Sequence, residues 1–191
     1  MMNSEHLLLV YADGASRGNP GLAASAAVIF SGPKPALQAF VNKYRSLPIA
    51  QDKVSIVRNG VVSAPTSDIL SVCLWHKHTG VRTNNYAELY AFYLALHSSF
   101  VRTVLADCDV RIVLASDSKY ALGCLGDWAP KWAAAGWRKS DGKTPENLDL
   151  IRPVWDILRK YPCDLQYIPA HTGHFFNELC DALCNRAISS S

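Results

Sequence analysis

Four acids occupy four different local settings along this 191-residue chain. Asp13 and Asp117 each follow an apolar run, over residues 7–12 and 110–115. Glu88 falls one turn into a helical pattern, and Asp181 follows the segment HTGHFFNELC. Acids set at the ends of separate elements make chemical sense when they converge. Converged carboxylates repel one another unless a cation sits among them. Carboxylates holding Mg²⁺ are a common apparatus for cutting phosphodiesters.

Each acid has polar company. Gly14 after Asp13 lets a ligand approach the backbone closely, although an Asp-Gly pair alone is more often only a turn. A second strand ends in the same way at Ser116-Asp117-Ser118. If the two strands are parallel neighbours, their carboxylates lie side by side at the edge where open α/β sheets build their sites. In Thr83-Asn-Asn-Tyr-Ala-Glu88, the amides of Asn84 and Asn85 share a helix face with the acid. An N-capped helix accounts for the Glu but not for two exposed amides, which can hydrogen-bond bases or sugars. Asn177 and Asp181 are one helical turn apart, and His171 lies on a Gly-containing loop before them.

The elements that must position these groups follow from periodicity. Strands are predicted over 7–12, 23–30, 70–76, 110–115 and 161–169, with RGNPG at 17–21 as a turn. Helices are predicted over 84–97, with Thr83 or Asn84 as N-cap, and over 118–125, 128–135, 147–160 and 175–188. The order β-β-β-α-β-α-α-α-β-α implies a mixed sheet with helices on its faces. Between residues 30 and 70, Pro33, Pro35, Pro48 and Pro65 break the pattern. Asn59-Gly60, between Val54/Ile56 and Val61/Val62, suggests a small hairpin there.

Composition narrows the class without naming a reaction. At 49% hydrophobic with a net charge of +3, the chain reads as one globular domain with a weak bias toward a polyanionic partner. Six cysteines form no CxxC pair, and no His pattern completes a zinc site, so they read as reduced thiols. The apolar run at 7–12 is too short to span a membrane and lacks a signal peptide's basic start. The expectation is an intracellular protein of cytoplasm or nucleus, with no membrane contact and a monomeric state. No GxGxxG or GxxxxGK[ST] supports a nucleotide-dependent small-molecule enzyme.

Taken together, Asp13-Gly with Gly18-Asn19-Pro20, Thr83-Asn-Asn-x-x-Glu88, Asp117-Ser118 and His171-x-Gly-His-x-x-Asn177-x-x-x-Asp181 resemble the type 1 ribonuclease H motif set. The four blocks occur in the family's order and cover the chain except about residues 33–68. The resemblance implies an α/β, ribonuclease H-like mixed five-stranded sheet, three antiparallel strands then two parallel, flanked by helices. It implies cleavage of the RNA strand of RNA/DNA hybrids, leaving 5′-phosphate and 3′-hydroxyl ends. By resemblance, Asp13 bridges two Mg²⁺ ions, Asp181 helps hold one, and Glu88 with Asp117 holds the other, with Mn²⁺ as a possible substitute. His171 would assist proton transfer or product release.

The same resemblance implies hybrid contacts from Gly14, Ser16, Asn19, Asn84, Asn85 and Asn177, and phosphate contacts from Thr83 and Asn147. Trp128, Trp132 and Trp137 repeat the spacing of the family's basic protrusion, where core packing of at least two competes with stacking on substrate. Lys119 stands where bacterial members often carry Gln, which turns one contact into a cation. The protrusion is poorer in basic residues than in many relatives, and Asp13 comes too early for an N-terminal hybrid-binding domain. The whole chain is expected to be a single ribonuclease H domain with an elaborated insertion at about 33–68. That insertion carries Lys34, Lys43, Arg45, Lys53 and Arg58 against Asp52 and Asp68, and reads as a solvated excursion or a second substrate arm. A nuclease domain of a retroelement polyprotein and a non-cleaving hybrid-binding module are the alternatives.

Overall fold

The apolar run at the start of the chain does not end at Ala12. In the computed structural model, which describes residues 5–45, 57–62, 66–107 and 109–190, it continues as a strand to Gly18. Strands β1 (His6–Gly18) and β2 (Gly21–Pro33) pair antiparallel along their whole length, from His6 opposite Pro33 to Gly18 opposite Gly21. Only Asn19-Pro20 remains to make the turn. The strands outrun their sequence pattern because Ala23, Ala24, Ala26 and Ala27, poor strand formers alone, are held by the ladder and fully buried.

Between β2 and the next sheet strand lies a helix, α1 (Lys34–Arg45), where the prolines suggested an irregular excursion. Pro35 falls in its first turn, where a missing N–H removes no intrahelical bond. Leu37, Phe40, Val41 and Tyr44 share one face and are buried. The hairpin expected at Asn59-Gly60 is present as β3 (Val57–Arg58) and β4 (Val61–Val62), with both turn residues at positive φ as that turn demands. Its expected arm at Val54 and Ile56 lies outside the described residues. A bond from Cys73 N–H to the Gly60 carbonyl (2.6 Å) fastens the hairpin to β5 (Leu70–Arg82).

The sheet is completed by β6 (Val110–Ser116) and β7 (Cys163–Tyr167), in the order β5-β2-β1-β6-β7. Three strands are antiparallel, and β6 and β7 add parallel to β1. β7 is shorter than expected because Pro162 and Pro169 bracket it and cannot donate to the ladder. Alternation along β1 divides the interior in two. Leu8, Val10 and Ala12 pack toward α2 (Asn84–Leu96), α3 (Ser99–Asp107) and α6 (Leu148–Leu158). Leu7, Leu9 and Tyr11 pack toward α1 and α7 (Phe175–Ser189).

α3 has no counterpart in the sequence reading, since only Val101 and Val104 are fully inward and that pattern is too short to see. Ser98 starts it, its hydroxyl accepting from Val101 N–H (3.2 Å). After β6, α4 (Lys119–Gly123) runs through a π-helical turn, Cys124–Trp128, into α5 (Ala129–Ala134). Trp132 and Trp137 pack partly buried on the core, and Trp128 is the exposed one at 38%.

Candidate active site

Parallel pairing of β1 with β6 stops at Tyr11 opposite Ala115. Two residues beyond that last pair, along each strand's course, stand Asp13 and Asp117, near enough that the charge of Asp117 acts on Asp13. Asp13 is therefore not at its strand's end. It lies inside β1, paired with Ala26 of β2, at the point where the partner on its other side drops away. It is only 7% exposed, and Gly14 N–H donates to its Oδ1 (2.8 Å).

Glu88 reaches the same place because α2 crosses β1 at Gly14. Any Cβ there would run into the backbone of Ala87 and Glu88. Thr83 caps α2, accepting from Tyr86 N–H (3.2 Å), and Ser25 of β2 donates to the Ala87 carbonyl (2.6 Å). Asp181 comes from α7, which packs against β1 and β2.

Each of the other three acids is held by a neutral polar neighbour. Asn84 Nδ2 donates to Glu88 Oε1 (2.7 Å) and the Ser118 hydroxyl to Glu88 Oε2. Asn177 Nδ2 donates to Asp117 Oδ2 (3.0 Å), and Asn185 Nδ2 to Asp181 Oδ1 (2.9 Å). The four acids border one open cleft of about 380 Å³, together with Gly14, Ser16, Asn84, His171 and Asn177. His171 is exposed, in a left-handed loop conformation (φ 54°).

The electrostatics are adverse to a charged cluster. Burial, then the charges of Asp117, Asp181 and more weakly Glu88, push the Asp13 carboxyl well above the usual carboxylate range, with the Gly14 bond opposing. Burial also raises Glu88, opposed by the Ser118 bond and reinforced by Asp117. Asn177 is 3% exposed, and its Oδ1 has no hydrogen-bond partner. Among the described residues no three or more His, Cys, Asp or Glu side chains stand close enough together to hold a metal ion as they are placed.

Six residues expected at the substrate surface do not line this cleft. Asn19 Oδ1 accepts from Asn84 N–H (3.1 Å), Thr83 serves as the cap, and Asn85 is exposed on the first turn of α2. Lys119 stands over the Tyr167 ring, Trp128 sits between Tyr120 and Trp132, and Asn147 donates to the Tyr120 hydroxyl (3.4 Å). Asn84 and Asn177 do line it, but their amide N–H groups are turned onto the acids.

One acid in the lining, Glu178, was missed. Its Oε1 accepts from Gly173 N–H (2.8 Å), tying the His171 loop to α7. Its spacing of three before Asp181 was the available signal.

The family model for RNase H matches residues 58–189. A ribonuclease H from Alcanivorax borkumensis is 28% identical over 181 residues, covering 95% of this chain and 91% of its own. Among solved structures, LC9-RNase H1 superimposes with a TM-score of 0.63 at 22% identity, over 98% of this chain and 74% of its own. LC11-RNase H1, solved in complex with an RNA/DNA hybrid, gives 0.56 at 19% identity, over 95% and 96%.

Proposed function

This chain belongs to the ribonuclease H family, and we propose that it hydrolyses the RNA strand of RNA/DNA hybrids by two-metal-ion catalysis, leaving 5′-phosphate and 3′-hydroxyl ends. The observation that carries the proposal is the convergence of Asp13, Glu88, Asp117 and Asp181 on one open cleft. A fold neighbour seen with such a hybrid bound supports the choice of substrate.

The donor set fits a hard divalent cation, because the four groups offer only carboxylate oxygens. A positive charge among them would offset the repulsion that raises Asp13. Asp13, Glu88, Asp117 and Asp181 would hold two Mg²⁺ ions, which supply an activated water and neutralise charge on the attacked phosphate and the leaving oxygen. Asn84, Ser118, Asn177 and Asn185 hold three of the carboxylates in place before substrate arrives, so little reorganisation remains for the reaction itself. His171 carries a proton toward the leaving 3′-oxygen or helps release the cleaved end. Ser16, which lines the cleft from β1, would meet a sugar 2′-hydroxyl, the group that distinguishes RNA from DNA.

Incubation with end-labelled RNA/DNA hybrid, double-stranded RNA and duplex DNA, with and without Mg²⁺, tests this. Only the RNA of the hybrid should be cut, only with the metal, and the new 5′ ends should carry phosphate. Hybrid binding without cleavage under these conditions would sink the proposal.

A further inference from the structure

Lys119 is oddly placed for a lysine. It opens the helical run 119–134, where the helix macrodipole disfavours a positive charge. It is two residues from Asp117, yet among the described residues it makes no salt bridge with that acid or any other. Its ammonium instead stands 5.1 Å from the centroid of the Tyr167 ring. Tyr167 ends β7, in register with Ser116 and so one residue short of Asp117. At 45% exposure, it leaves much of a large ring in solvent. Neither helix stability nor core burial accounts for this pair.

Its position does. A nucleic-acid backbone brought to four carboxylates is repelled unless cations flank the cleft, and β7 forms the flank beyond Asp117. An exposed cation–π contact is weak, but it restrains a long side chain that would otherwise sample many rotamers. We infer that Lys119, aimed by the Tyr167 ring, binds a backbone phosphate of the hybrid on the β7 side of the cleft. Lys119 is the contact and Tyr167 the positioning residue. A lysine reads phosphate as a point charge, so the contact adds affinity without sequence preference. The inference rests on the ribonuclease H reading for the identity of the ligand.

The test measures hybrid affinity without cleavage, by fluorescence anisotropy in EDTA across a KCl series, for wild type, Lys119→Gln, Tyr167→Ala and Tyr167→Phe. Lys119→Gln should weaken binding several-fold at low salt and reduce the slope of log Kd against log salt by about 0.9, one phosphate contact. Tyr167→Ala should reproduce part of that slope change, and adding it to Lys119→Gln should cost nothing further. Tyr167→Phe, which keeps the ring, should restore the slope lost in Tyr167→Ala. A purely structural tyrosine would alter melting temperature and leave the slope alone. An unchanged slope in Lys119→Gln, or wild-type binding in Tyr167→Ala, overturns the inference while leaving the ribonuclease H reading intact. A wild-type protein that binds no hybrid in EDTA overturns the inference, and only one that also cuts no hybrid with Mg²⁺ removes the ribonuclease H reading.

Discussion

Asp13 is nearly covered by protein, and its three acidic neighbours all oppose its charge. Nothing in folding alone rewards that arrangement, so its removal should show what the acid is for. Asp13→Asn keeps the shape and deletes the repulsion. Without divalent ions the variant should therefore melt higher than wild type, by about 1 kcal/mol or more. With Mg²⁺ the wild type should gain stability and the variant gain less, while hybrid cleavage falls to background. Thermal melts with and without the metal check this, and an Asp13→Asn protein less stable than wild type in EDTA would contradict it. His171 belongs to a different class. It sits on an exposed loop, so His171→Ala should slow turnover by on the order of 10²-fold. The Mg²⁺-dependent shift in melting temperature should persist. Loss of that shift would place His171 in the metal site instead.

At the scale of elements, the site depends on how α2 is seated on the sheet. Ser25 gives its proton to the Ala87 carbonyl, so His78 Nε2, at 2.8 Å, must donate to Ser25. His78 is 6% exposed, and burial, with His76 and Arg82 adding to it, lowers it from 6.5 to about 4. Its surroundings are His76 and Arg82 of β5, Tyr86 and Tyr90 of α2, and Ser25 of β2. A histidine depressed on folding stabilises fully above its unfolded value and loses that contribution as pH falls. The window is therefore about 6.5 down to about 4, with a loss on the order of 1–3 kcal/mol. His78→Gln keeps a donor for Ser25 and cannot titrate, so its urea midpoint should be flatter than wild type across that window. Parallel profiles would show that His78 does not set the pH dependence.

The same scale shows what the sequence could and could not reveal. The Thr83 cap, the Asn59-Gly60 turn and the spacing of Asn177 to Asp181 are local, and each is present as read. The full length of β1 was hidden, because Ala-rich segments become strands only when a partner and a covering layer hold them. α1 was hidden by its prolines, although the spacing of Leu37, Phe40, Val41 and Tyr44 was there to be seen. The turning of Asn84 and Asn177 onto the acids depends on contacts between distant elements, and no spacing within one element contains it.

For the whole molecule, the segment read as an arm or excursion proves to be part of the interior where it is described. Phe40 of α1 is 5% exposed and meets Phe30 at 5.2 Å, Tyr44 at 5.0 Å and Phe176 at 5.9 Å between ring centroids. Phe176 in turn touches Tyr11, two residues before Asp13, so α1 braces the layer that carries both Asp13 and Asp181. Phe40→Ala should then cost about 3–5 kcal/mol, as truncation of a buried ring does. The tryptophans provide an independent reporter. Trp132, Trp137 and Trp155 lie with the opposite core, across the sheet from α1, whereas Trp75 lies beside α7, so the reporter is read in a Trp75→Phe background. If the described elements fold as one domain, Phe40→Ala should shift the urea transition seen by tryptophan fluorescence as far as the one seen by circular dichroism. A fluorescence transition left in place while the dichroism moves would mean that α1 and its layer fold apart from the sheet's other face.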